Sequence, residues 1–126
     1  MHDMGFESFS VYSSWLTRTT SDNLPTQDHS HTNSFLSGVV YLHEDSSPLL
    51  FRNPMPWRWS SGKVNDITAS GYLFEPSCGD IILFPSNINH IITPFNGNAS
   101  RHTVAFNVIP TGLFGTRDST INLQTV

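Results

Sequence analysis

Cysteine is nearly absent: Cys78 is the only one among 126 residues, which excludes an internal disulfide framework and any cysteine-rich zinc site. Lysine is as scarce, Lys63 alone, and six Lys and Arg against ten Asp and Glu give a net charge of -4 with histidine neutral. No basic stripe is present, so no nucleic-acid partner is expected. Charged residues make up only 13%. No run approaches the roughly 18 apolar residues of a membrane span, and the N-terminal MHDMGFESF has no signal-peptide pattern. Helical periodicity is missing as well: eight Pro and eight Gly are scattered along the chain, and no window of a dozen residues holds a 3.6-residue repeat. Nine Phe, three Trp and three Tyr at this low charge argue against disorder. The expectation is one soluble, mildly acidic domain over residues 1–126, in the reducing setting of the cytoplasm.

What is there reads as β-structure. Short β-branched and aromatic runs recur between turn clusters, predicting strands at 11–18, 29–33, 35–42, 48–52, 71–75, 80–84, 88–93 and 101–109. The turns EDSSP, PSCGD and FNGNAS carry the Pro, Gly, Asn and Asp that tight reversals need. The segment 52–66, RNPMPWRWSSGKVND, reads as an irregular loop. About eight short strands with little helix fit an all-β jelly roll, a double-stranded β-helix of cupin type.

Six histidines need explaining. On a strand, residues two apart share a face, so His29 and His31 would project into one cavity. Neutral imidazole is a good ligand for Fe(II) and Zn(II), and an HxH pair offers two ligands at once; the plainer alternative is two surface polar residues. A late strand of a jelly roll lies beside an early one, so His90 could meet the pair. Alternation on 101–109 puts Arg101, Thr103, Ala105 and Asn107 on one face and His102, Val104, Phe106 and Val108 on the other. An arginine facing a cavity is costly unless an anion pairs with it.

The segments SSWLTRTT, HSHTNSFLSGVVYL, GDIILFPSNINHIITPFN and RHTVAFNVI resemble, in order and spacing, a small family of 2OG-Fe(II) oxygenases carried by cyanophages and marine bacteria. That family belongs to the 2-oxoglutarate/Fe(II)-dependent dioxygenases. The resemblance implies that His29, His31 and His90 are the catalytic metal ligands and that Arg101 pairs with the far carboxylate of 2-oxoglutarate. It also implies that Thr103 supports the same carboxylate, and that Fe(II), 2-oxoglutarate and O2 take part in hydroxylating a C–H bond of a substrate the sequence does not name. Most of the wider superfamily has His-x-Asp/Glu and a distal His, whereas here a histidine stands where the carboxylate would be. Three neutral imidazoles leave Fe(II) at its full charge, which makes electron donation to O2 harder unless neighbouring hydrogen bonds compensate. Asp28, Glu44 and Asp45 are poorly placed to supply the carboxylate, being on the opposite pleat or in a turn.

Asn33, Ser37 and Asn107 are further candidates to bind the cosubstrate, Tyr41 lies on the same strand as Ser37, and Gly38 could mark a bulge. Trp57, Arg58 and Trp59 read as a hydrophobic lid or a substrate wall. His2 and His43 read as surface residues, His102 as a packing neighbour, and Asn98 as a glycosylation sequon without a secretion signal to support it. Two other classes of function stay open: a cupin-like dioxygenase or isomerase that does not use 2-oxoglutarate, and a non-catalytic jelly-roll module. Exposed edge strands leave a homodimer open.

Overall fold

The structure, a computed structural model, describes residues 6–22, 27–44, 47–52, 71–94 and 100–124. Among the described residues eight strands follow in chain order: β1 (Ser8–Thr19), β2 (Leu36–Tyr41), β3 (Leu49–Arg52), β4 (Gly71–Phe74), β5 (Ile81–Pro85), β6 (His90–Ile92), β7 (Arg101–Phe114) and β8 (Ile121–Leu123). A 3-10 turn, Arg117–Ser119, precedes β8. All pairings among the described residues are antiparallel. A larger sheet runs β1-β7-β2-β5, with β8 paired to the far end of β7, and a smaller one runs β4-β3-β6. This is the expected all-β jelly roll.

The larger sheet sets the rows that matter. Ser37 and Ser13 flank Asn107, Val39 and Trp15 flank Ala105, Tyr41 and Thr17 flank Thr103, and Thr19 lies opposite Arg101. Directly opposed residues share a face, so these side chains project together, as alternation on β7 predicts. Tyr12 is the extra residue of a bulge in β1, between Val11 and Ser13. On the other face Gly38 lies opposite Phe106. A side chain there would overlap the Phe106 ring, so the glycine accommodates an aromatic rather than marking a bulge.

The smaller sheet supplies Leu49 opposite Ile92 and Phe51 opposite His90. Tyr41, Leu49, Phe84 and Val108 are buried, and the Phe51 and Phe84 rings meet edge to face at 4.9 Å. A second aromatic cluster joins Phe6, Phe9, Phe35 and Phe114, with centroids 5.1–6.1 Å apart.

The expected strand at 29–33 does not form. Only His29 bridges, to His90, and Asn33 turns into the left-handed region at φ 57. Polar residues such as Asn tolerate that conformation and favour turns. In exchange β7 continues past 109 to Phe114, where Gly112 at φ 105 begins the pairing with β8. The residues Trp57, Arg58, Trp59, His2, Asp45 and Asn98 lie outside the described segments. Among the described residues no helix is long and apolar enough to cross a membrane.

Candidate metal centre

His29 and His90 face each other across a two-bond bridge. The His29 N–H donates to the His90 carbonyl at 3.1 Å and the His90 N–H to the His29 carbonyl at 2.9 Å. The His31 N–H donates to the Ser86 carbonyl at 2.9 Å. The HxH segment, which is no strand of its own, is therefore clamped onto the β5–β6 connection and the start of β6. This brings the three imidazoles together: candidate ligand atoms of His29, His31 and His90 all lie within 4.8 Å of one another. The His31 and His90 rings are parallel at 5.2 Å, and the His29 and His90 rings are 4.5 Å apart.

The tautomers follow from the backbone. Nδ1 of His29 lies 2.7 Å from the Gln27 carbonyl, and Nδ1 of His90 lies 3.0 Å from the Ile88 carbonyl. A carbonyl only accepts, so in the neutral rings both Nδ1 atoms carry the proton and both Nε2 atoms present a lone pair. Nε2 of His31 lies 3.4 Å from Nε2 of His90. Burial holds the His90 imidazole below its ordinary value, with the charges of His29 and His31 acting the same way and the Ile88 carbonyl and Asp28 opposing. Burial, then His29, likewise lowers His31. Three converging imidazoles, two of them with Nε2 bare, fit a divalent transition metal. Metal–nitrogen bonds of about 2.1 Å place neighbouring ligand nitrogens roughly 3.0–3.4 Å apart.

The imidazoles open into a cavity of about 170 Å³ between the two sheets, close to the roughly 150 Å³ that accepts a benzene-sized molecule. Trp15, Thr17 and Thr19 of β1, Ser37, Val39 and Tyr41 of β2, and Arg101, Thr103 and Ala105 of β7 form one wall. Phe84 of β5, paired with Ser37, belongs to this wall too, and Leu49, Ile92 and His90 of the smaller sheet stand opposite. Arg101 is half-buried, and its Nε donates to the Glu44 carbonyl at 2.8 Å. Burial and the Asp80 charge push the Tyr41 hydroxyl up to about 12, so it keeps its proton at neutral pH.

A family described as "Putative 2OG-Fe(II) oxygenase" matches residues 13–107. This chain belongs to that family. Among solved structures, an oxidoreductase of the 2OG-Fe(II) oxygenase family from Burkholderia pseudomallei superposes with a TM-score of 0.60 at 14% identity. The superposition covers 80% of this chain and 45% of that one, so the chain spans less than half of that neighbour's length. At this identity the likeness shows the fold, the jelly roll of 2OG-Fe(II) oxygenases. No curated protein matches the chain in sequence.

Within this oxygenase jelly roll, the structure brings together His29, His31, His90, Arg101, Thr103 and Ser37 around the cavity. It does not bring Asn33 there. The loss of the strand at 29–33 leaves Asn33 exposed, its carbonyl accepting from the Tyr12 hydroxyl at 2.9 Å. Asn107 faces inward but is 8% exposed behind Ser37, whose Oγ lies 2.8 Å from Asn107 Oδ1 and 3.0 Å from Ser86 Oγ. Asp28 is turned to Arg52, accepting from its Nε at 3.1 Å. A Glu44 carboxylate oxygen lies 3.4 Å from the Cys78 amide nitrogen. Neither carboxylate joins the histidine cluster. His102 faces the other side of the sheet, its Nδ1 3.3 Å from Nε2 of His43. Sequence reasoning missed Trp15, whose ring stacks 5.9 Å from His31, and Phe84, edge to face with His90 at 4.8 Å. Their alternation was visible, but the partner strand was not.

Proposed function

We propose that this protein is an Fe(II)- and 2-oxoglutarate-dependent hydroxylase in which His29, His31 and His90 hold the metal. Arg101 and Thr103 would receive the far carboxylate of 2-oxoglutarate. The observation that carries this reading is the placement of three imidazoles, two of them with Nε2 left bare, and one guanidinium in the wall of the same small cavity. Bound iron would supply O2 activation coupled to decarboxylation of the 2-oxoglutarate. The chain's own residues do the rest. The Gln27 and Ile88 carbonyls fix two of the rings, Arg101 selects a carboxylate by a charge-assisted contact, and Trp15, Leu49, Phe84 and Ile92 line the cavity with apolar surface. Tyr41, protonated at neutral pH, is a further donor on the same wall.

The cupin-like alternative uses the same three histidines and leaves Arg101 no ligand to hold. Anaerobic titration of 2-oxoglutarate into Fe(II)-loaded protein separates the two. A weak visible charge-transfer band that Arg101→Ala abolishes is expected for the oxygenase. No band in the wild-type protein sinks this reading in favour of the alternative.

A further inference from the structure

We infer that Ser47 is a carboxylate-binding residue of this cavity, its hydroxyl donating beside Arg101 and Thr103 to the far carboxylate of the dicarboxylate cosubstrate. The inference rests on the oxygenase reading and deepens it. Ser47 lines the cavity, is 8% exposed, and its Oγ is buried with no hydrogen-bond partner. Buried polar side chains without a partner are rare in native proteins and call for an explanation. Two other hydroxyls of the region have theirs: Ser37 lies against Asn107 and Ser86, and Thr93 donates to the Pro48 carbonyl at 3.0 Å. A serine turns its hydroxyl by one χ rotation among three staggered wells, so an acceptor arriving in the cavity is within its reach.

Position says which acceptor. Phe51 is level with His90 on the smaller sheet, Leu49 is level with Ile92, and Ser47 comes two residues earlier. Ser47 therefore stands four residues from Phe51, the partner of His90, on the side away from the metal histidines. On the larger sheet Ala105 is level with Trp15, which stacks on His31, and Arg101 is again four residues away. Ser47 and Arg101 thus mark the same end of the cavity, remote from the imidazoles. The chain on either side of Ser47 is held at this end: Arg101 Nε donates to the Glu44 carbonyl, and the Thr93 N–H and hydroxyl both donate to the Pro48 carbonyl. A ligand that chelates a metal at one end and carries a second anion at the other would meet both residues.

The test is anaerobic calorimetry on Fe(II)-loaded protein with 2-oxoglutarate and with oxalate, which chelates a metal but has no far carboxylate. Ser47→Ala and the near-isosteric Ser47→Cys are expected to weaken 2-oxoglutarate about tenfold, the value of one charge-assisted hydrogen bond, and to leave oxalate unchanged. Ser47→Thr, which keeps the hydroxyl, restores most of the affinity. The metal-free Ser47→Ala protein melts at or above the wild-type temperature, because an unsatisfied hydroxyl is gone. Unchanged 2-oxoglutarate affinity in Ser47→Ala, an equal loss for oxalate, or a lower melting temperature overturns the assignment while the oxygenase reading stands. Wild-type protein that binds oxalate but no 2-oxoglutarate overturns both.

Discussion

His29 and His90 are direct antiparallel partners, each backbone N–H bonded to the other's carbonyl at 3.1 and 2.9 Å. This one bridge brings an early histidine beside a late one, and both rings are then pinned through Nδ1 to carbonyls two residues before them. The side chains of a hydrogen-bonded antiparallel pair point the same way, so the centre is built by backbone pairing as much as by side-chain packing.

Removing any member of the cluster should abolish tight metal binding. His29→Ala, His31→Ala and His90→Ala are each expected to lower Fe(II) or Zn(II) affinity by more than about 100-fold, since losing even an outer hydrogen-bond partner of a ligand costs about 10–100-fold. Metal added to the wild-type protein should raise its melting temperature and a chelator should reverse this, because the ion binds the folded state. Calorimetry and thermal melts check both, and a variant that binds metal as well as the wild type removes that residue from the set.

The pH dependence has a definite sign. The His31 and His90 values are lowered in the folded protein from the ordinary 6.5, so below 6.5 the unfolded chain binds more protons than the folded one. The stability these groups contribute is complete above 6.5 and declines as pH falls toward the depressed folded values. Metal affinity declines in the same direction, because ligand imidazoles must be neutral. Urea melts of metal-free protein at pH 7.5 and 5.5 should show lower stability at 5.5, and His90→Gln should flatten the difference.

Arg101 should matter for the cosubstrate and not for the metal. Arg101→Ala is expected to weaken 2-oxoglutarate on the order of 100-fold, the loss of a charge-assisted, bidentate contact. Arg101→Lys should fall in between, since an ammonium keeps the charge and loses the planar fork. Unchanged Zn(II) affinity in both variants shows that the two ends of the cavity are separable. A parallel loss of metal binding would mean that Arg101 acts through the fold.

Gly38 tests the packing of the larger sheet from its other face. An added Cβ would overlap the Phe106 ring, so Gly38→Ala should destabilise by about 1–3 kcal/mol, the usual range for overpacking. Gly38→Ala combined with Phe106→Leu should recover part of this, and denaturant melts of the two variants provide the comparison.

Much of this molecule was readable from its chain. Short runs bounded by turn residues marked most of the strands, because a half-buried strand must alternate and a tight reversal needs Pro, Gly, Asn or Asp. The same parity put Arg101, Thr103 and Asn107 on one face, and the sequence alone singled out His29, His31 and His90 as donors able to take a metal. Which strands lie side by side was decided by tertiary structure, since the pairing of β1 with β7 joins residues from opposite ends of the chain and nothing local in either segment encodes it. That pairing brings Trp15 and Thr17 into the cavity wall. The bridge between His29 and His90 supports a segment too polar to be a strand and turns Asn33 away. Ser47 belongs to the same class: its position beside a cavity and its unsatisfied hydroxyl exist only once the two sheets have closed on each other.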